Sequence, residues 1–278
     1  MSEYQYYEWQ TIDRVLTPEE QAEVNRLSSH INVTPSQAVV AYGWGDFEHD
    51  PREVLLKYFD AHLYMTNWGS RQLMFRFPKG MLDGEMVVQY CVPNYISFET
   101  AGDHQTLDIS VDNEEETDWV EGEGVLSTLS HLRDDLLEGD FRLLYLAWLK
   151  AISLRRTLMD DEDDPGGLVS GLEPPVPAGL KTLTPALNLF VGVFDLDPSL
   201  VQAAAANSQD LPTKMSYRDL VRRLPRKECD DFLARLAEGE PGAALRLRRR
   251  LADLTKKTGE PPQERRTIQQ IFAQAKNF

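Results

Sequence analysis

FRLLYLAWLKAISLRRTL, residues 141–158, is the stretch that decides how this chain folds. Apolar side chains would cover most of the circumference of a helix built from it, which is typical of a helix buried on nearly all sides. The chain then becomes strongly polar, since residues 160–164 read DDEDD and residues 173–177 read EPPVP. This change predicts that a first folded unit ends near residue 158.

The residues before this helix predict an α+β unit with antiparallel hairpins. Thr17 and Asp50, each followed by a proline, are typical residues for the start of a helix, and residues 125–137 predict one amphipathic helix. Six short segments have the aromatic and β-branched residues or the alternation of strands: residues 4–12, 36–42, 62–68, 72–77, 95–99 and 105–111. Turn residues join the last four segments in pairs, which predicts two hairpins.

The second half of the chain predicts an all-helical domain. Six helical segments are separated by prolines and glycines: residues 185–194, 198–206, 217–224, 227–238, 243–257 and 263–276. Short helices joined by short turns indicate a bundle. The predicted organisation is therefore an acidic α+β domain at 1–158, an acidic, proline-rich linker at 159–178 and a helical domain at 179–278.

Charge is distributed unevenly along the chain. The 278 residues carry a net charge of −16. Residues 1–164 hold 12 basic and 32 acidic residues, whereas residues 165–278 hold 17 basic and 13 acidic residues. Such a negative balance disfavours nucleic acid as the partner of the whole protein, because attraction to phosphate dominates that binding. The acidic half is interpreted as a solubilising surface or as a face that meets a basic protein.

Composition also gives an expectation for the cellular location of the protein. No apolar run reaches the roughly 18 residues that a membrane-spanning helix needs, and the first residues do not resemble a secretory signal. The two cysteines, Cys91 and Cys229, lie in different halves and are typical of free thiols in a reducing compartment. We therefore expect a cytoplasmic protein that does not enter a membrane.

Motifs for enzymatic chemistry are weak. The sequence contains no phosphate-binding glycine loop and no nucleophile elbow, and no cofactor is expected. One alternative is a hydrolase that uses Cys91 with His104. Another is a weak metal site at Asp46, Glu48 and His49, although acidic residues before a helix already interact with its dipole. A structural role is favoured for both sets.

Two glycine–tryptophan patterns are the most individual parts of the sequence. They are YGWGDF at residues 42–47 and NWG at residues 67–69. Glycine beside tryptophan permits tight turns and close packing of the ring. These residues could line a ligand pocket, but anchoring in the core is the favoured interpretation.

Charged clusters give the candidate partner-binding residues. Residues 214–257 contain 13 basic and 7 acidic residues, and guanidinium groups there could bind carboxylate or phosphate. The alternatives are a solvated helix face, contact with the acidic half of the same chain, or nucleic-acid binding by these helices alone. The candidates are Arg222, Arg223, Arg226, Arg246, Arg249 and Arg250 in the basic helices, with Asp160, Asp161, Glu162, Asp163 and Asp164 in the linker.

Several short strings resemble a family of uncharacterised bacterial proteins. They are the two tryptophan patterns above, YFDA at residues 58–61, LLYLAWL at residues 143–149 and EPPVP at residues 173–177. In size, acidity and architecture the chain is also similar to an accessory protein encoded beside type III-E CRISPR effectors, where it accompanies a protease substrate and a sigma factor. The resemblance implies a regulatory role in bacterial defence and supplies no catalytic residues.

The sequence therefore predicts a non-enzymatic adaptor or regulator. Its acidic half would present carboxylates to a protein partner, with electrostatics setting encounter rate and orientation.

Overall fold

Seven antiparallel strands form one sheet within the first 111 residues, in the spatial order β2-β3-β1-β4-β5-β7-β6. The computed structural model describes residues 3–112, 122–158, 171–211, 215–240, 242–254 and 265–278. The strands are β1 (Gln5–Gln10), β2 (Asn32–Val33), β3 (Gln37–Tyr42), β4 (Ala61–Thr66), β5 (Arg71–Pro78), β6 (Ile96–Ala101) and β7 (His104–Val111). All six predicted strands and both predicted hairpins are confirmed, and among the strands of the described residues only the two-residue β2 was not predicted.

The sheet is covered on both faces because successive side chains of a strand point in opposite directions. Leu63, Phe75 and Leu107 lie on one face, in a large core that includes residues of several helices of the second half. Tyr7 and Trp9 lie on the other face, in a smaller core formed with the first two helices.

Among the described residues, six helices belong to the first half of the chain. They are α1 (Pro18–Asn25), α2 (Pro51–Tyr58), α3 (Gly84–Val88), α4 (Val125–Leu129), α5 (His131–Leu137) and α6 (Arg142–Leu158). The two predicted starts are confirmed, since Thr17 and Asp50 accept hydrogen bonds from the first turns of α1 and α2. The helix predicted at 125–137 is divided into α4 and α5 at Ser130, although the backbone of Ser130 is itself helical (φ −60°, ψ −25°). The Ser130 hydroxyl donates to the Ser127 carbonyl (2.9 Å), a local bond that competes with a continuous helix.

The helix α6 is buried, as predicted from its sequence. Leu144, Tyr145 and Leu146 are each 0% exposed. Two of its charged residues are buried with partners. Lys150 Nζ donates to the Asp195 carbonyl (2.6 Å), and Arg142 forms an ion pair with Asp140 (2.6 Å).

Helices make up most of the second half, which confirms the α+β fold class. They are α7 (Pro185–Val193), α8 (Pro198–Ala206), α9 (Tyr217–Val221), α10 (Arg226–Ala237), α11 (Ala243–Asp253) and α12 (Ile268–Ala275). Within the described ranges, no helix is long and apolar enough to cross a membrane.

The large core continues across the predicted domain boundaries. It includes Phe75 of the sheet, Leu146 of α6, Phe190 of α7 and Ile271 of α12. Of the predicted linker, residues 159–170 lie outside the described residues, whereas Glu173 is 0% exposed. The boundaries at 158 and 178 remain predictions. The structure shows that apolar residues from both sides of these boundaries belong to one core.

Candidate protein-binding surface

The loop between β3 and α2 is fixed to the sheet at its centre. Gln5 Nε2 donates to the Gly45 carbonyl (3.1 Å) and to Asp46 Oδ1 (2.6 Å). The Gln5 side chain is itself held, because its Oε1 accepts hydrogen bonds from the hydroxyls of Tyr7 (2.7 Å) and Tyr64 (2.9 Å). A polar side chain on β1 therefore sets the position of the loop.

The same loop is anchored a second time where it enters α2. Phe47 is 8% exposed, with its ring centroid 5.5 Å from that of Tyr7 and 5.2 Å from that of Trp9. Asp50 then caps α2 by accepting a hydrogen bond from the Arg52 amide (2.8 Å). The loop is therefore held at Gly45 and at Phe47, on either side of residue 46, and these contacts restrict its backbone.

Trp44 points out of this anchored loop into solvent. It is 80% exposed, although a tryptophan ring is large and usually mostly buried. The favoured sequence interpretation, that the aromatic residues of 42–47 anchor the core, is correct for Phe47 and wrong for Trp44. Gln5 holds the backbone of Gly45, and the Phe47 ring occupies the space against the sheet. Trp44, which precedes both residues, therefore lies in solvent.

A polar strip of the sheet lies beside the loop. Tyr64 pairs with Gln72 across β4 and β5, and Gln72 pairs with Ser110 across β5 and β7, so the three residues share a face. On that face Asp108 accepts hydrogen bonds from Gln72 Nε2 (3.0 Å to each oxygen) and from the Ser110 hydroxyl (2.7 Å). Burial raises the pKa of the Asp108 carboxyl.

Carboxylates predominate around this strip. Burial raises the pKa of the Tyr64 phenol, and the nearby Asp112 and Asp46 carboxylates raise it further. The cation Arg52 forms an ion pair with Glu99 (2.6 Å). We call Trp44, Asp46, Tyr64, Asp108 and Asp112 the Trp44 surface. An exposed aromatic ring beside carboxylates can bind a cationic side chain through cation–π and ionic contacts.

The six predicted arginines fall into two groups, one at the junction of α9 and α10 and one on α11. Arg222 and Arg226, at the junction of α9 and α10, are 72% and 90% exposed and form ion pairs with Asp219 (3.5 Å) and Asp230 (3.1 Å). Arg223 is also exposed there.

The other three arginines lie on α11 and contact other parts of the chain. Arg250 forms an ion pair with Glu228 of α10 (2.6 Å), and Arg246 forms one with Glu240. Arg249 donates to the Gly80 carbonyl in the first half, next to an ion pair between Arg248 and Asp134 (3.0 Å). Contact with the acidic half of the same chain is therefore present, as one of the alternatives anticipated. The predicted acidic residues Asp160, Asp161, Glu162, Asp163 and Asp164 lie outside the described residues.

The residues of the two enzymatic alternatives are engaged in other contacts. Burial raises the pKa of the Cys91 thiol, which favours the protonated and less nucleophilic form. Burial and Arg76 lower the pKa of His104. Asp46 is held by Gln5, and the ring of His49 packs edge-on against Phe47 at 5.5 Å. In the part of the chain that the structure describes, no group of three His, Cys, Asp or Glu side chains is placed to hold a metal ion.

Sequence reasoning did not place Tyr64, Asp108 or Asp112 at this surface, and it did not identify Gln5 as the residue that holds the loop. Gln5, Tyr64 and Asp108 come from three different strands, and no local motif links them. The only available signal was the Gly-Trp-Gly pattern of residues 43–45.

No protein-family model, curated protein or solved structure matches this chain. The resemblance noted from its sequence strings therefore remains a prediction.

Proposed function

We propose that this protein is a non-enzymatic adaptor or regulator that binds a basic protein segment at the Trp44 surface. The observation that carries the proposal is the 80% exposure of Trp44 on a loop that leaves β3 at Tyr42 and is anchored directly after Trp44, at Gly45 and Phe47. Tryptophan is enriched among the few residues that dominate protein interfaces. A backbone already held beside the ring also loses little conformational entropy on binding.

Electrostatics support the choice of a basic partner. Asp46 and Asp112 are exposed carboxylates of the Trp44 surface, within a half of the chain that carries a large excess of acidic residues. Complementary charge accelerates encounter and orients the partner, and salt weakens this contribution. Trp44 would supply most of the affinity, and the carboxylates would select positively charged segments.

The first experiment places a photo-crosslinking amino acid at position 44 of the full chain in its host cells. The matched control carries the same amino acid at Val15, which is 64% exposed. Mass spectrometry should find a protein adduct that forms at position 44 and not at position 15. If adducts form equally at both positions, or at neither, the proposal is wrong.

The second experiment measures affinity for the captured protein. Trp44→Ala should weaken binding roughly thirtyfold, which corresponds to about 2 kcal/mol at an interface hot spot. Val15→Ala should leave affinity unchanged. Replacing Asp46 and Asp112 by asparagine should slow association and flatten its salt dependence. The resemblance to an accessory protein of type III-E CRISPR loci supplies the first purified candidates, the protease substrate and the sigma factor of such a locus.

A further inference from the structure

The helices α9, α10 and α11 form a small unit with a core of its own. Leu220 of α9 and Leu224, which follows that helix, pack with Leu251 of α11 in a cluster that is separate from the large core. None of the residues of α10 is buried. Among the described residues of these three helices, only Leu245 belongs to the large core. Little apolar packing therefore connects this unit to the rest of the protein.

The helix α11 has two sides with different neighbours. One side faces the small cluster, to which Leu247 and Leu251 contribute. The opposite side carries Leu245, Arg248 and Ala252, which recur at intervals of three and four residues and so share one side of the helix. Leu245 belongs to the large core, and Ala252 lines a cleft between α11 and the first half. This second side therefore docks the unit on the first half.

Polar groups contribute much of this docking contact. Arg248 forms the ion pair with Asp134 (3.0 Å), in which the two side chains are 47% and 36% exposed. Arg249 donates to a backbone carbonyl of the first half, and the Tyr217 hydroxyl of α9 donates to Glu138 Oε1 (2.5 Å). Ion pairs with this exposure add little free energy and weaken as salt rises. The contact between the unit and the first half is therefore weak and sensitive to salt.

The first half presents a groove that matches α11 in chemistry. Met81, Leu137 and Phe141 supply its apolar side chains and line the cleft that α11 does not fill. Asp134 and Glu138 add carboxylates, which accept the contacts from Arg248 and Tyr217. We call Met81, Asp134, Leu137, Glu138 and Phe141 the α11 groove. An apolar groove with acidic residues beside it fits a basic amphipathic helix, and α11 is such a helix.

We propose that α11 is an internal occupant of the α11 groove, and that a basic amphipathic helix of a partner protein binds there in its place. The unit of α9, α10 and α11 moves away as one body when the partner helix binds, because its own small core stays intact. Docked α11 limits this binding, since the apparent affinity falls with the fraction of chains in which the groove is open. The α11 groove shares no residue with the Trp44 surface, so the proposal does not depend on that surface.

A labelled peptide with the sequence of residues 242–254 serves as the probe for the groove. Fluorescence anisotropy measures its binding to the full chain. Arg248→Asp breaks the docking contact and leaves the groove unchanged, so this variant should bind the peptide at least tenfold more tightly than wild type. Asp134→Arg breaks the same contact but reverses a charge of the groove, and it should show no gain.

Two controls separate binding in the groove from general attraction to an acidic chain. A peptide of the same composition in scrambled order should bind Arg248→Asp no more tightly than wild type. Lys227→Asp makes the same change in charge at an exposed residue of α10, and it should leave the affinity for the probe peptide at the wild-type value.

Thiol labelling measures the opening of the groove. Leu137→Cys, at a groove residue that is 5% exposed, is compared with Leu144→Cys, at a residue of α6 that is 0% exposed. Mass spectrometry of peptides distinguishes each new thiol from the native cysteines. Residue 137 should be labelled faster than residue 144, and Arg248→Asp should accelerate its labelling at least tenfold. Adding Asp134→Arg to Arg248→Asp should slow the labelling again, because the ion pair is restored with its charges exchanged.

Several results would overturn the proposal. Arg248→Asp could bind no more probe peptide than wild type, or Asp134→Arg, Lys227→Asp or the scrambled peptide could show the same gain. Equal labelling rates at residues 137 and 144 would show that the groove opens only when the whole chain unfolds. A labelling rate at residue 137 that Arg248→Asp does not change would show that this ion pair does not hold α11 in the groove.

Discussion

Glu173 and Arg266 form a buried ion pair between residues that lie 93 positions apart in the chain. Arg266 Nη2 lies 2.9 Å from Glu173 Oε2, and the Glu173 side chain is 0% exposed. The Tyr145 hydroxyl of α6 donates to the same carboxylate oxygen (2.9 Å), and the Arg266 amide donates to Oε1 (2.9 Å). The carboxylate thus connects the segment after residue 170 both to the central helix and to the residues that precede α12.

Arg266→Met should be strongly destabilising, because it leaves Glu173 buried without its cation. The expected loss in free energy of unfolding is about 3–5 kcal/mol. The control is Arg14→Met, which breaks an ion pair with Glu20 in which Arg14 is 45% exposed and should cost less than about 1 kcal/mol. Urea denaturation of both variants measures the difference. Similar losses for the two variants would show that the buried pair contributes no more than a surface pair.

The loop that carries Trp44 contains two glycines, Gly43 and Gly45, at which the same substitution should have different effects on stability. A Cβ at either position would meet no atom within 4 Å, but only Gly45 has a left-handed backbone, with φ of +80°. Gly45→Ala should therefore cost about 1–2 kcal/mol through backbone strain, and Gly43→Ala should be close to neutral. Thermal unfolding of the two variants checks this, and equal melting temperatures would contradict it.

His62 should make the protein less stable as pH falls. It is 0% exposed, and burial lowers its pKa from 6.5 to about 3. Between these values the unfolded chain binds a proton that the folded chain does not, so stability is present above pH 6.5 and is lost towards pH 3. The slope is about 1.4 kcal/mol per pH unit. His62→Phe should remove this dependence of the free energy of unfolding on pH. Urea denaturation at several pH values would detect the change. A wild-type-minus-variant difference that does not vary with pH would contradict the prediction.

Glu8 should make the protein less stable as pH rises, which is the opposite of the effect of His62. Its side chain is buried and accepts hydrogen bonds from the Tyr6 hydroxyl (2.9 Å) and from Gln37 Nε2 (2.6 Å). Burial raises the pKa of its carboxyl above 4.5. The folded chain then holds a proton that the unfolded chain releases, so this contribution is present below pH 4.5 and is lost as pH rises.

Glu8→Gln tests this sign, because an amide does not titrate. The stability of the variant relative to wild type should increase from pH 4.5 towards neutrality, in the same urea experiments. A relative stability that decreases over this range would show that the Glu8 carboxyl ionises more readily in the folded chain than in the unfolded chain.

Local patterns predicted much of the fold because they act over a few residues. The alternation in β5 and the caps at Thr17 and Asp50 each depend on neighbours in the chain, and the structure confirms them. The candidate site was harder to predict. Its loop is held by Gln5, which lies 40 residues from Gly45, and no short-range pattern encodes such a contact.

The sequence by itself determined the α+β class, the antiparallel hairpins and the burial of α6, since apolar periodicity and capping chemistry are local properties. Only the tertiary structure decided that Trp44 is exposed while Phe47 is buried, and that Glu173 meets Arg266. Both outcomes depend on which distant segments occupy the surrounding space. The same Gly-Trp-Gly residues could have been covered or left open without any change in their local preferences.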